Sequence, residues 1–184
     1  MITKEFETNL HLMINGDKAI TSKPLTIGSP SEILIKCGAS KEDLITITKK
    51  VIDKSMRQEV RDSNGRMVGN TGHGLTEQMI IASINELELP TMVFKGKQLH
   101  SLLIITEVKD NKDRTIVIAI ELERVEGFSK VISIRSIYGR DNIDSYISTN
   151  IDNNNLLAAR KEKADELLRS IGKSYPKENT FISY

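Results

Sequence analysis

The sequence has no tryptophan, one cysteine and only three histidines among its 184 residues. A single cysteine excludes an intramolecular disulfide, and Cys37 lies in the helical pattern SEILIKCG, where a small buried hydrophobe is expected rather than a nucleophile. The histidines are scattered, and neither H-x-x-x-H nor C-x-x-C spacing occurs, so no metal site is predicted. Walker, G-x-G-x-x-G and G-x-S-x-G motifs are also missing, and we expect ordinary side chains to act without a cofactor.

Long apolar runs and a strong net charge are missing as well. No run approaches the roughly 20 apolar residues needed to span a bilayer, and MITKEFETNLHLMING lacks the apolar core of a signal peptide. We therefore expect an aqueous, reducing compartment and no membrane partner. The net charge is +1, so attraction to nucleic acid would have to come from local basic clusters.

Length and composition predict one domain with a sizeable core. Residues 1–28 are predicted to form a lead-in hairpin, in which LHLMI and AITSKPLTIG flank the turn Asn15-Gly16-Asp17. Residues 29–184 are predicted to form a single α+β domain.

Helix signals precede strand signals within this domain. Helices are predicted in GSPSEILIKCGAS, after Thr48 and in GLTEQMIIASINELELP, and the β-branched run LITIT, which ends at Thr48, allows a short strand. Four extended runs follow: TMVFKG, HSLLIITEVK, RTIVIAIELERV and KVISIRSIYG. Their short connections predict antiparallel neighbours, and DNIDSYIST and NNLLAARKEKADELLRSIG are predicted as helices. The expected fold is α+β, with N-terminal helices, a four-stranded antiparallel β-meander and C-terminal helices.

Polar side chains crowd the end of the last predicted strand, VISIRSIYGR. Alternation places Ser136 and Tyr138 on one face with Ile132 and Ile134, and it assigns to the other face Val131, Ser133, Arg135 and Ile137. Two interpretations stay open. The hydroxyls either bond to neighbouring backbone at a wet strand end, or they face an anionic substrate together with Arg140.

His73 is flanked by glycines in NTGHGLTE, just before a predicted helix N-terminus. Amides at such an end favour an anion, and the imidazole exchanges its proton near neutral pH. His73 is therefore the candidate general acid or base, with a loop histidine of no function as the alternative. His11 and His100 are interpreted as structural.

The loop before His73 is locally positive. It holds four cations against two acids, namely Lys54, Arg57, Arg61 and Arg66 against Glu59 and Asp62. Such a loop can lie along a phosphate backbone, or it can be a solvated charged surface.

The order of these features resembles a known family. The runs LTIGSPSEILIKCGASKEDLITITKKVIDK, GHGLTEQMIIASINELELPTMVFKG, SLLIITEVKDNKDRTIVIAIELE, VISIRSIYGRD and LLAARKEKADELLRSIG are similar to the phage MuF C-terminal domain and its relatives, over roughly Leu25 to Tyr184. Those relatives are the phage modules grouped with barnase, EndoU, colicin and RelE-type nucleases.

The resemblance implies a toxin or effector domain with metal-independent ribonuclease activity. It implies catalytic positions at Lys54, His73, Ser136 and Tyr138, and we expect Arg57, Arg66, Arg135 and Arg140 to contact phosphate or RNA. The expected partners are RNA, such as tRNA or rRNA, and an immunity or inhibitor protein. The expected location is the cytoplasm of a bacterial host or target cell, reached in some cases by delivery with a virion.

Two other functions stay open. The fold can serve a phage protein as a non-catalytic binding module, for capsid components or an immunity partner. An ADP-ribosyltransferase is the third alternative, although the sequence carries no nicotinamide-site motif.

Overall fold

The computed structural model describes residues 3–66, 68, 72–127, 129–176 and 181–184. The helices are α1 (Lys4–Ile14), α2 (Lys18–Thr21), α3 (Glu32–Lys36), α4 (Lys49–Met56), α5 (Glu77–Asn85), α6 (Ile143–Asp152) and α7 (Lys161–Ser170). The strands are β1 (Leu25–Gly28), β2 (Leu44–Ile47), β3 (Met92–Lys95), β4 (Ser101–Lys109), β5 (Thr115–Glu126), β6 (Ser129–Gly139), β7 (Leu156–Ala159) and β8 (Ile182–Ser183). Among these described helices, none is long and apolar enough to cross a bilayer.

The eight described strands form one mixed sheet in the order β1-β2-β6-β5-β4-β3-β7-β8. Its four central strands, β3 to β6, are the four runs predicted from sequence, but the predicted four-stranded antiparallel meander is wrong. Two strands extend the sheet on each side, and the pairs β2·β6 and β7·β8 are parallel. The short connections between β3 and β6 give no information about β2, whose pairing from Leu44↔Val131 to Ile47↔Ile134 joins distant segments.

Each face of the sheet carries its own apolar core. Alternation along β5 sends Ile116, Ile118 and Ile120 into the first core and Val117 into the second. Helices α1, α3, α4 and α5 cover the first core, and α6 and α7 cover the second. Full burial of one such aliphatic side chain stabilises the folded state by about 1.5–3 kcal/mol. Apolar packing against both faces therefore holds the sheet between the two layers of helices.

The N-terminal segment is helical, so the predicted lead-in hairpin is wrong. LHLMI belongs to α1, where Phe6, Leu10 and Met13 are buried in the first core. Their spacing of four and three residues puts them on one helical face, and Thr3 caps the helix by accepting a hydrogen bond from the amide of Phe6. The strand LTIG instead pairs with β2. LLAA, predicted as helix, likewise forms strand β7.

Strand β6 continues past the end of β2, and a bulge alters its two faces there. Ile134 lies opposite Ile120 while Ser136 lies opposite Ala119, so Arg135 is an inserted residue. The insertion returns Ile137 to the first core beside Ile134, whereas Tyr138 packs against the second core. The predicted common face of Ile134, Ser136 and Tyr138 is therefore wrong, because a bulge breaks strict alternation.

Candidate active site around His73 and Tyr138

Residues 72–75 are bound to the C-terminal end of α4. Four successive amides donate to carbonyls of that helix end: Gly72 to Gln58 at 3.2 Å, His73 to Lys54 at 3.1 Å, Gly74 to Arg57 at 2.9 Å and Leu75 to Ser55 at 2.9 Å. A side chain at position 72 would overlap the backbone of Arg57, so this approach requires glycine. The hydroxyl of Ser55 donates in turn to the carbonyl of Ile137 at 3.0 Å. Lys54, His73 and the end of β6 are thereby brought together.

The imidazole of His73 lies against the ring of Tyr138. Their centroids are 5.3 Å apart and the rings are tilted by 36°. Burial lowers the pKa of His73, and the nearby charges of Lys54 and Arg114 lower it further, while Glu59 acts in the opposite direction. The imidazole is therefore mainly neutral at pH 7, the protonation state that a general base requires. Its Nε2 atom is buried and has no hydrogen-bond partner among the described residues.

Tyr138 connects His73 to a fixed cation. Its hydroxyl accepts a hydrogen bond of 2.9 Å from Nη1 of Arg140. The guanidinium of Arg140 also lies over the ring of Tyr146, with Cζ 3.7 Å from the ring centroid, and Tyr146 meets Phe94 edge-on. A planar guanidinium held in this way is a preorganised donor for a phosphate.

Two adjoining depressions lie beside this group. One has about 770 Å³ of empty volume and the other about 970 Å³, and they share Gly96, Lys97, Arg140 and Tyr146. We call them together the basic cleft, since Lys95, Lys97, Arg135 and Arg140 line it. Its two lining acids are neutralised by arginines: Glu121 lies 3.3 Å from Arg135, and Asp141 lies 2.7 Å from Arg61 and 3.4 Å from Arg114. The local charge is positive.

The residues predicted from sequence do not all lie at one place in the structure. Lys54, His73, Tyr138 and Arg140 converge at the end of β6, and Arg135 lines the basic cleft. Ser136 is half-buried on β6 opposite Ala119, which also lines the cleft. Arg57 is the C-cap residue of α4, next to the segment 72–75. Arg66 is exposed, and its backbone amide donates to the carboxylate of Asp62.

A buried ion network beside the site was missed from sequence. Glu59, whose side chain is 4% exposed, pairs with Arg61, Lys112 and Arg114. Burial would raise the pKa of Glu59, but hydrogen bonds from Lys112, Arg61 and Arg114 outweigh it and lower the pKa to about 2. The sequence shows Glu59 among the cations of its own loop, but it does not show that Lys112 and Arg114 of the β4–β5 turn are its partners. Lys95, Lys97 and Tyr146 were also missed, and KGK in the β3–β4 link was the signal for the lysines.

Comparison with known proteins identifies the family. The model of the phage MuF C-terminal domain matches residues 66–166, which is more than half of the chain. The chain belongs to the phage MuF C-terminal domain family. No curated protein and no solved structure matches it. The matched stretch of this MuF C-terminal domain includes His73, strands β3 to β6 and the basic cleft, while Lys54 and Glu59 precede it. The family description names a phage domain and no nuclease, so ribonuclease activity is a proposal.

Proposed function

We propose that this MuF C-terminal domain is a metal-independent endoribonuclease that acts as a phage toxin or effector. The observation that carries the proposal is the contact of the neutral His73 imidazole with Tyr138, whose hydroxyl is held by Arg140. A base, a hydroxyl donor and a fixed cation thus adjoin a positively charged cleft. These are the groups that RNA cleavage by acid/base chemistry needs.

The reaction begins with proton transfer from a ribose 2′-hydroxyl to His73. The 2′-oxygen then forms a bond to phosphorus, and the bond from phosphorus to the 5′-oxygen breaks. Lys54 and Arg140 stabilise the negative charge that develops on the phosphate oxygens. Tyr138 accepts its hydrogen bond from Arg140 through oxygen, so its own proton is available to the leaving 5′-oxygen. The products are a 2′,3′-cyclic phosphate and a 5′-hydroxyl, and Ser136 positions the ribose.

The test is incubation of the purified domain with total RNA in EDTA. We expect fragments that end in cyclic phosphate, and His73→Ala should slow cleavage by about 10² to 10⁴, the usual contribution of general acid/base catalysis. His11→Gln is the matched control, because that side chain is 64% exposed on α1. RNA that stays intact at high protein concentration, or equal cleavage by His73→Ala, would overturn the proposal.

A non-catalytic binding module is the second candidate. The observation that favours it is the burial of Nε2 of His73, which leaves only part of the imidazole accessible to a substrate. In that case the cleft binds an anionic partner, such as a capsid component or an immunity protein, and the same assay leaves the RNA intact.

A further inference from the structure

We infer that the basic cleft binds single-stranded RNA, with the nucleotide next to the scissile phosphate lying between the β3–β4 link and α6. This inference rests on the proposed function, since the scissile phosphate is placed at His73 and Arg140. It adds a binding site whose residues, Lys95, Lys97, Asn142 and Tyr146, have no role in the proposed proton transfers.

The shape of the cleft favours a single strand. Its two depressions share Gly96 and Lys97 together with Arg140 and Tyr146; further residues of α6 line the larger depression, and residues of β4, β5 and β6 line the smaller one. A concave cleft accommodates a strand with splayed bases, whereas an A-form duplex presents a broad, shallow surface. Proteins that bind single strands combine such a basic groove with flat side chains for stacking.

Lys95 at the end of β3 and Lys97 in the β3–β4 link supply charge that the protein does not use internally. Lys95 and Lys97 form no salt bridge with any residue that the structure describes. Their backbone is nonetheless fixed, because the amide of Lys95 donates to Asn155 at 2.9 Å and that of Gly96 to Ser101 at 2.8 Å. Two unpaired cations on a rigid link are suited to successive phosphates of one strand.

Stacking and base recognition have candidate groups in the same cleft. The guanidinium of Arg140 lies over the ring of Tyr146, and a base stacks on an arginine plane as it does on an aromatic ring. Asn142 begins α6 with a φ of 52°, and its side chain makes no capping hydrogen bond. Its amide group is therefore available to the edge of a base, unlike those of Asn150 and Asn155, which bond to each other at 3.0 Å.

The experiment measures fluorescence anisotropy of a labelled 12-nucleotide RNA with 2′-O-methyl riboses, which cannot be cleaved. We expect the single strand to bind at least about tenfold more tightly than its duplex. The logarithm of affinity should fall with the logarithm of salt concentration by about 0.7 for each phosphate contacted. Lys97→Glu should weaken binding about tenfold, and Lys130→Glu, exposed on the β5–β6 hairpin, should change it less than twofold.

The outcomes separate this inference from the proposed function. Equal binding of duplex and single strand, or equal effects of Lys97→Glu and Lys130→Glu, would overturn the inference even if unmodified RNA is cleaved. Selective binding by a protein that never cleaves RNA would support the inference and overturn the nuclease proposal.

Discussion

The carboxylate of Asp110 occupies the space beside the α-carbon of Gly139. A Cβ at position 139 would lie 2.7 Å from Cγ of Asp110 and 3.1 Å from Nε of Arg114. Asp110 is fixed there by the amides of Lys112 and Arg114, each at 2.9 Å, and by Nε of Arg114 at 2.7 Å. Gly139, the glycine of SIYGR, therefore allows the β4–β5 turn to lie close to the end of β6, because a larger residue would overlap Asp110.

Gly139→Ala should destabilise the protein by about 1–3 kcal/mol, the usual cost of overpacking. A double-mutant cycle compares the unsubstituted protein with Gly139→Ala, Asp110→Ala and the double variant. Urea unfolding measures the free energy of unfolding of each. The penalty at position 139 should be smaller when Asp110 is already alanine, since the obstructing carboxylate is gone. Equal penalties in the two backgrounds would contradict the contact.

Glu59→Gln should lower the free energy of unfolding at pH 7 by about 1.5–3 kcal/mol, the usual contribution of hydrogen bonds to a charged group. The folded-state pKa of Glu59 is about 2, below the ordinary 4.5. Its charge therefore stabilises the fold above about pH 4.5, and this contribution is lost as the pH falls toward 2.

Urea unfolding from pH 7 to pH 3 measures this effect. The difference between the unsubstituted protein and Glu59→Gln should narrow as the solution becomes more acidic. Glu42→Gln is the control, since that side chain is 78% exposed and pairs with the equally exposed Lys41, and it should change stability little. A difference for Glu59→Gln that is constant with pH would argue against a charged network.

The pKa of His73 should lie below 6.5, because burial and the charge of Lys54 both disfavour the imidazolium. Lys54→Met should raise this pKa by removing one positive charge. NMR titration of the imidazole Cε1 proton measures both values in the absence of RNA, and the exposed Lys50 of α4 provides the control Lys50→Met. Titration of His73 above 6.5, or equal shifts in the two variants, would exclude the environment described for His73.

Local patterns predicted the four central strands and the main helix after His73 because those segments have strong periodicity. Lys54 and His73, two residues of the predicted catalytic set, lie close together although many residues separate them in sequence. Backbone hydrogen bonds between residues 72–75 and the end of α4 close that distance. Gly72 is the local feature that permits this approach, but a glycine does not indicate which distant segment will accept the bonds.

The errors arise where long-range pairing overrides a local pattern. LLAA continues a helical pattern into α7, yet it forms β7 because the free edge of β3 accepts it, with Met92 opposite Ala159. The bulge at Arg135 is equally invisible in an alternating sequence, and because of it Ile137, rather than Tyr138, shares the first core with Ile134. The ion network of Glu59 depends on the same kind of distant contact, with Arg114 on the β4–β5 turn.

Arg140→Lys should weaken both RNA binding and RNA cleavage about tenfold while changing stability by less than about 1 kcal/mol. The guanidinium of Arg140 contacts the ring of Tyr146 and donates to Tyr138 at the same time, and the compact ammonium of lysine cannot make both contacts. Tyr138→Phe keeps the ring against His73 but removes the hydroxyl, so it should reduce cleavage more than binding.

Arg124→Lys is the matched control for these two variants, because Arg124 pairs with Glu121 and Glu126 on the β5–β6 hairpin. Anisotropy titration and timed RNA digestion of all three proteins separate binding from chemistry. Equal effects of Arg124→Lys and Arg140→Lys on RNA affinity and cleavage would contradict a specific function of Arg140, because any surface arginine would then have the same effect. Full cleavage by Tyr138→Phe would require another donor for the leaving oxygen, because the phenolic proton is the one that the mechanism transfers.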